Sequence, residues 1–371
     1  MARANSAAGK GHRPDYFLLA LVFVLVVFGL AMLASASSDL GKTKFNDSYY
    51  YLKHQIYFGL SLGVAGFAAG YFIFYKRLKK IALPLLLLSV GALAMVFTRF
   101  GLELQNATRW VKIGPLSFQP AEIVKLTFII YLAAWLSNTQ IKRAGNFFEG
   151  FVPFMLTSAV IAGLLLAQPA TSTVVILLAT ALVVYALSGA KKRYIAAAVC
   201  IAALCIAFII YVTPYRKARI LGFLSPQNNA STQNYQITQA KTAIGSGGLF
   251  GKGYGQSVTK ASSLPAPIDD SIFAVIGEEL GFVGAGGLAV LFALLAFRMI
   301  WLGMKCRDQF GRLLLAGFGS LIAFQSFMNM GAISGLIPLT GVPLPFISYG
   351  GTALAIFLTI SGVAANVSRY A

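Results

Sequence analysis

Runs of about 20 apolar residues recur along the whole chain, and they constrain its fold more than any other feature. A bilayer core about 30 Å thick requires roughly 20 apolar residues in each helix that crosses it. The composition agrees, because 58% of the 371 residues are hydrophobic and only 11% are charged. The sequence therefore predicts an all-α integral membrane protein in which residues 1–371 form a single polytopic membrane domain.

The apolar runs predict about ten membrane-spanning helices. They lie near residues 16–36, 55–75, 81–98, 120–139, 150–167, 172–188, 194–213, 271–301, 311–331 and 347–368. The first run is long enough to span the bilayer and lacks the small-residue pattern of a cleavage site, so we expect it to remain as the first helix.

Loops rich in Lys and Arg alternate with loops that carry fewer of them. The basic clusters lie at 3–13, 76–80, 142–143, 191–193 and 305–312. By the positive-inside rule these clusters and both termini are expected in the cytoplasm. The opposite face then receives residues 37–54, 99–119, a short turn at 168–169, 214–270 and 332–346.

The segment 214–270, between predicted helices 7 and 8, is the longest of these extracytoplasmic loops. It is rich in Gly, Ser, Asn and Gln, and its stretch 243–255 is too glycine-dense to favour a helix. A loop of this length is typically functional or disordered. The motifs on either side favour function.

Composition also excludes several classes of function. The net charge of +19 does not indicate nucleic acid, because the basic residues form short clusters between apolar runs and no binding module is present. The three cysteines show neither a disulfide framework nor metal-ligand spacing. With only two histidines, His12 and His54, a histidine-based acid, base or metal site is not expected.

Five of the eleven acidic residues are candidates for chemistry: Glu122, Asp269, Asp270, Glu278 and Glu279. An ionised acid at membrane depth must pair, face water or become protonated, so Glu278 and Glu279 are either functional or paired with a basic residue. Asp269 and Asp270 either cap the following helix or supply a general base. Glu122 either has a functional role or forms a local ion pair with Lys125 at i+3.

Basic residues on the same predicted outer side suit an anionic head group such as a diphosphate. They are Arg109, Lys112, Arg216, Lys217, Arg219, Lys241, Lys252 and Lys260. The alternative is a solvated loop attracted to lipid phosphates. Combined with the acids, the pattern favours a reaction in which an Asp deprotonates a hydroxyl group. The hydroxyl oxygen then attacks a carbon whose phosphate leaving group is held by Arg or Lys.

Four stretches carry a family resemblance over nearly the whole chain. The strongest is 335–351, which reads GLIPLTGVPLPFISYGG. The others are RWVKIGPLSFQPAEIVK at 109–125, AIGSGG at 243–248 and IFAVIGEELG at 272–281. Together they resemble the SEDS (shape, elongation, division and sporulation) family of peptidoglycan glycosyltransferases. The opening segment 15–37 and the FQPAE at 118–122 are more similar to its division branch, FtsW, than to its elongation branch, RodA.

The resemblance implies polymerisation of lipid II, an undecaprenyl-diphosphate-linked substrate, on the outer face of the bacterial cytoplasmic membrane during cell division. It implies Asp270 as the general base and a class B penicillin-binding protein, a transpeptidase, as partner. Other residues fall on motif positions implied to line the cavity or to bind diphosphate: Arg109, Lys112, Glu122, Lys125, Glu279, Ser348 and Tyr349. Arg219 and Lys252 in the long loop join them as candidate substrate-binding cations.

Two departures from the family pattern leave alternatives open. Before the helix the chain reads PAPIDDS at 265–271, so Asp269 could substitute for Asp270 as the base. At 168–173 it reads QPATST, which removes a family acid at Ala170 and leaves dependence on a divalent cation, Mg or Mn, in question. A lipid II flippase or transporter and an inactive scaffold that recruits the transpeptidase are the competing functions.

Overall fold

The computed structural model describes residues 12–104, 107–114, 116–138, 143–224 and 232–371. Within these residues, eight helical segments are long and apolar enough to cross a membrane. Two helices of 17 residues, Pro120–Leu136 and Thr171–Leu187, pack among them. The ten apolar runs of the sequence therefore correspond to ten helical segments in the described part of the chain, of which eight meet the length and hydropathy of a membrane span.

The elements are numbered in chain order. The first half contains α1 (Tyr16–Phe45), α2 (Tyr50–His54), α3 (Ser61–Phe72), α4 (Lys76–Met95), β1 (Gly101–Leu104), β2 (Ala107–Ile113), β3 (Leu116–Phe118), α5 (Pro120–Leu136), α6 (Val152–Ala167) and α7 (Thr171–Leu187). The second half contains α8 (Lys192–Val212), α9 (Pro214–Leu224), α10 (Thr232–Ser246), α11 (Thr259–Ser262), α12 (Ile272–Lys305), α13 (Gln309–Ile333) and α14 (Gly351–Ser368). A π-helical segment, Gln55–Leu60, joins α2 to α3 as one continuous span.

The two ends of the described chain meet at one end of the bundle. The N–H of His12 donates to the carbonyl oxygen of Arg369 at 2.8 Å. The side chain of Asp15 caps α1 by accepting from the Leu18 N–H at 2.8 Å and also pairs with Arg298 on α12.

Small residues bring α3 and α14 into backbone contact. A Cβ atom on Gly70 would lie 2.7 Å from the Val363 nitrogen, and one on Gly362 would lie 2.2 Å from the Phe67 carbonyl oxygen. Lipid tails are as apolar as leucine, so membrane helices associate through such close packing. This contact fixes α14 and the loop that precedes it.

Two connections differ from the sequence-based expectation of loops. Residues 99–119 contain an antiparallel sheet of strand order β1-β2-β3, because the short connections allow each strand to pair with the next. The expected loop 37–54 begins with helix, since α1 continues to Phe45.

The segment 214–270 is not an irregular loop, as the sequence suggested, but contains α9, α10 and α11. Helix α10 extends to Ser246 and so includes the first four residues of the stretch 243–255 that we expected to lack helix. The helix ends where Gly247 and Gly248 follow, and Gly248 has a left-handed φ of 57°. The sequence prediction was right only for the part beyond the helix end.

Helix α12 is broken at Gly281, whose φ of 65° and ψ of −165° are not helical. The glycine-rich segment that follows α10, residues 247–255, forms hydrogen bonds with the backbone groups that the break exposes. The N–H groups of Lys252 and Gly253 donate to the carbonyls of Glu278 and Glu279 at 3.0 Å each. Beyond the break, the Phe282 and Val283 N–H groups donate to Gly248 and Leu249 carbonyls at 2.9 and 3.1 Å. The segment and the helix therefore hold each other in place.

Candidate active site

Asp269 and Asp270 lie in the turn immediately before α12, against the loop between α13 and α14. The N–H of Tyr349 donates to the carbonyl oxygen of Ile268 at 2.8 Å. The hydroxyl of Ser348 donates to the carbonyl oxygen of Asp269. Both residues of the loop that the sequence singled out therefore position the backbone of the two acids.

Asn329 on α13 makes a second attachment to the same turn. Its Nδ2 donates to the carbonyl oxygens of Asp270 at 2.9 Å and Val342 at 2.8 Å. The Asp269 N–H closes the turn by donating to the Ala266 carbonyl at 3.2 Å. A turn bonded from three directions holds its side chains in a defined orientation.

The carboxylate of Asp270 faces α9 and α10. Gln236 on α10 donates from Nε2 to Oδ1 of Asp270 at 3.3 Å and to the Ser271 hydroxyl at 2.9 Å. Burial raises the pKa of Asp270, while hydrogen bonds from its own backbone and from Gln236, together with the charge of Arg219, oppose this rise. Burial is the largest of these effects, so the pKa of Asp270 stays above the usual value of an Asp side chain, as suits a general base.

Asp269 points to a different space. It lines a cavity of about 260 Å³ together with Lys44 of α1, Tyr51 of α2 and Tyr349. Burial raises the pKa of Asp269 to about 7, with a smaller increase from the charge of Asp270 and a decrease from Lys44. Adjacent in sequence, the two acids thus differ in their surroundings and can act on different groups.

Glu122 and Lys125 form a buried ion pair at the start of α5, with 2.6 Å between Oε1 and Nζ. The ammonium group also donates to Oε1 of Gln325 at 2.7 Å, and Gln325 donates to the Pro343 carbonyl oxygen at 2.9 Å. The pair is therefore linked to the loop that holds the two acids. The structure confirms the ion pair that the i, i+3 spacing predicts, and a substrate-binding role for Glu122 and Lys125 stays a prediction.

Glu278 and Glu279 pair with two lysines, one in the glycine-rich segment and one on α11. Lys252 lies 2.7 Å from Glu278, and Lys260 lies 2.9 Å from Glu279. The hydroxyl of Ser35 on α1 also donates to Glu279 at 2.6 Å. In the described part of the chain, none of these bonds reaches Asp269 or Asp270, so the candidates Lys252 and Glu279 belong to a separate cluster beside the break in α12.

The remaining candidate cations lie on β2 and α9. Arg109 donates to the carbonyl oxygens of Gln168 at 3.2 Å and Pro169 at 2.7 Å, so it fastens the sheet to the turn between α6 and α7. Lys112 is exposed on the same strand. Arg219, on α9, carries a charge that acts on Asp270.

A family model described as "Cell cycle protein", which covers FtsW, RodA and SpoVE, matches residues 16–371. The chain belongs to this family. The resemblance predicted from the motifs is therefore confirmed, and so is the all-α membrane fold.

Relatives of this family match the chain over nearly its whole length. The probable peptidoglycan glycosyltransferase FtsW of Geobacter sp. (strain M18) is 37% identical over 355 residues, covering 95% of this chain and 96% of the relative. Stage V sporulation protein E of Bacillus subtilis (strain 168) is 35% identical over 367 residues, covering 97% and 98%.

Two solved structures share the architecture. A chain from a study titled "Structural coordination of polymerization and crosslinking by a peptidoglycan synthase complex" has a TM-score of 0.78 at 29% identity, covering 96% of this chain and 98% of that chain. The rod shape determining protein RodA of Thermus thermophilus has a TM-score of 0.70 at 29% identity, covering 96% and 97%.

No three His, Cys, Asp or Glu side chains come together within the residues that the structure describes. Of the candidate acids, the adjacent Asp269 and Asp270 face different surroundings, Asp269 the cavity and Asp270 Gln236. Mg²⁺ usually keeps several waters and binds through one or two carboxylates together with substrate phosphates, so it does not require a cluster of three acids.

Several residues around Asp269 and Asp270 were not predicted from the sequence. Gln325 and Asn329 are four residues apart on α13, which places two amides on one face of an apolar helix. That spacing was a readable signal. Gln236, Lys44 and Tyr51 carried none, because they are polar residues in segments where polar residues are common.

Proposed function

We propose that this protein is a peptidoglycan glycosyltransferase that polymerises lipid II into glycan strands during cell division, with Asp270 as its general base. The observation that carries the proposal is a buried carboxylate with raised pKa, held by family motif residues and facing a guanidinium. The names of the curated relatives support the same activity.

In the proposed reaction, Asp270 accepts the proton of a hydroxyl on the acceptor sugar. The hydroxyl oxygen forms the new bond to the anomeric carbon of the donor sugar, and the bond from that carbon to the diphosphate oxygen breaks. The lipid diphosphate leaves with the electron pair, and the proton remains on Asp270. We assign Arg219, whose charge acts on Asp270, to stabilising the negative charge that develops on the leaving diphosphate.

We place Asp270 at the extracytoplasmic face and both termini in the cytoplasm. Helix α12 begins beside Asp270, and beyond its break at Gly281 it continues to Lys305, a helical length of roughly 36 Å that is enough to cross the bilayer core. At that end Tyr75, next to the basic cluster 76–80, stacks against Phe310 at a ring distance of 6.1 Å. Arg3, Lys10 and Lys142, which also indicated this orientation, lie outside the described residues.

The partner proposed for this chain is a class B penicillin-binding protein, the transpeptidase that crosslinks the strands. Support comes from the matched structure, whose title describes polymerisation and crosslinking by one peptidoglycan synthase complex. Arg109, Lys112 and Lys252 remain proposed contacts for lipid diphosphates, because a cation can form a charge-assisted hydrogen bond with a phosphate oxygen. Lys112 is exposed, whereas Arg109 also bonds to the turn between α6 and α7 and Lys252 to Glu278.

The test is glycan synthesis from purified lipid II by the protein reconstituted with its cognate transpeptidase. We compare the wild type with Asp270→Asn and Asp269→Asn, and with Asp39→Asn as a control for an exposed acid on α1. Polymer from the wild type and from Asp39→Asn, but not from Asp270→Asn, is expected. Loss only in Asp269→Asn would move the base by one residue.

Two further results would contradict the proposal. If a well-folded complex makes no polymer but moves lipid II across liposome membranes, the chain is a flippase. If it does neither, and Asp270→Asn still supports cell-wall synthesis in cells, it is a scaffold. Treatment with EDTA, followed by addition of Mg²⁺ or Mn²⁺, tests whether the activity depends on a divalent cation, the question that Ala170 raises.

A further inference from the structure

The cavity beside Asp269 has the size and lining of a small ligand site. Its volume of about 260 Å³ lies just below the ~300–1,000 Å³ of sites that bury drug-sized ligands, which leaves space for one sugar ring rather than a disaccharide. Leu40 and Ile268 supply apolar surface, and Lys44 and Asp269 supply opposite charges. Apolar walls with a few polar groups are typical of such sites.

The aromatic wall of the cavity is held in place by its neighbours. The rings of Tyr51 and Tyr349 meet edge to face with 5.2 Å between centroids. The Tyr349 hydroxyl lies 2.9 Å from Nδ1 of His54. Tyrosine presents an apolar ring and a polar hydroxyl, a combination that suits the apolar face and the hydroxyl groups of a sugar.

The carboxylate of Asp269 is open to a ligand. Among the residues that the structure describes, the hydroxyl of Ser348 donates to the backbone carbonyl of Asp269, whereas its side chain experiences the charges of Asp270 and Lys44 and accepts no hydrogen bond there. A carboxylate accepts hydrogen bonds on two oxygens, and such charge-assisted bonds are among the strongest that a neutral hydroxyl can make. Asp270, in contrast, is already bonded by Gln236.

We propose that this cavity is a subsite for one pyranose ring of the lipid-linked substrate, with Asp269 accepting hydrogen bonds from ring hydroxyls, Tyr51 packing on the ring and Lys44 facing an anionic substituent. The inference rests on the proposed glycosyltransferase function and assigns the two neighbouring acids different tasks. Asp269 binds sugar, and Asp270 takes the proton.

Steady-state glycan synthesis by the reconstituted complex provides the first test. We expect Asp269→Asn and Tyr51→Leu each to raise KM for lipid II about tenfold, the loss of one charge-assisted or stacking contact, with kcat changed less than about threefold. The matched controls are Asp39→Asn and Tyr57→Leu, in which an exposed acid and an exposed tyrosine are replaced outside the cavity. An unchanged KM in both cavity variants, or a collapse of kcat in Asp269→Asn, would overturn the inference.

A binding measurement separates this inference from the proposed activity. Saturation-transfer NMR with N-acetylglucosamine and N-acetylmuramic acid uses the complex without turnover. We expect transfer to ring protons in the wild type and in Tyr57→Leu, and its loss in Tyr51→Leu. Absent or equal transfer in an active complex rejects the subsite alone, whereas sugar binding by a complex that makes no polymer rejects the glycosyltransferase function alone.

Discussion

Gly281 and Gly251 lie so close together that a Cβ atom on Gly281 would fall 2.4 Å from the Gly251 nitrogen. This contact is where the glycine-rich segment enters the break in α12. The backbone groups on both sides of the break are satisfied by the segment rather than by the helix itself.

We expect Gly281→Ala to lower the melting temperature of the purified protein in detergent. The φ of 65° and ψ of −165° at this position are a conformation that residues with a Cβ rarely adopt, at a strain of about 1–3 kcal/mol before any clash. Gly286→Ala in the same helix is the control, because nothing lies within 4 Å of a Cβ there. Equal melting temperatures for the two variants would show that the break is not required.

We expect Lys260→Met to destabilise the protein strongly by leaving Glu279 buried without its cation. Removing one partner of a buried ion pair typically costs about 3–5 kcal/mol. The double variant Lys260→Met and Glu279→Met should recover much of this loss. Lys53→Met, which breaks an exposed pair with Asp47, is the control and should leave the stability unchanged. Thermal unfolding in detergent is measured for the wild type and the three variants. A Lys260→Met protein as stable as the wild type would contradict the prediction.

We expect Gly70→Val to separate α3 from α14 and to reduce both folding yield and activity. A Cβ atom at this position would lie 2.7 Å from the Val363 nitrogen and 3.0 Å from the Thr359 carbonyl oxygen, so the helices must move apart. Gly91→Val on α4, where nothing lies within 4 Å, is the control. Size-exclusion profiles and glycan synthesis measure the two effects. Normal behaviour of Gly70→Val would argue against this packing.

We expect kcat to rise with pH through an acidic limb that lies above 3.8, the usual pKa of an Asp side chain. A general base must be ionised, and burial raises the pKa of Asp270. The hydrogen bond from Gln236 lowers the pKa of Asp270, so Gln236→Leu should move this limb to higher pH. Asp269→Asn is the control and should leave the limb in place, because the charge of Asp270 raises the pKa of Asp269 and not the reverse. A limb that does not move in Gln236→Leu would show that Asp270 is not the group that titrates.

The number of spans and the family followed from the sequence alone, because both depend on local features. The length of an apolar run is readable residue by residue, and a run of about 20 residues has few alternatives to a membrane helix. Motifs such as 335–351 are likewise contiguous, so their order identified the family without knowledge of their contacts.

The tertiary structure decided which partners the acids have, because ion pairs and cavities join residues far apart in the chain. Glu279 meets Ser35 across 244 positions, and Tyr349 meets His54 across 295. The same holds for α10, whose Gln236 reaches Asp270 only because the glycine-rich segment returns the chain to α12. Local sequence carries the propensity for each helix, but the free energy that selects these contacts comes from packing and from satisfying buried charges, and both are properties of the assembled bundle.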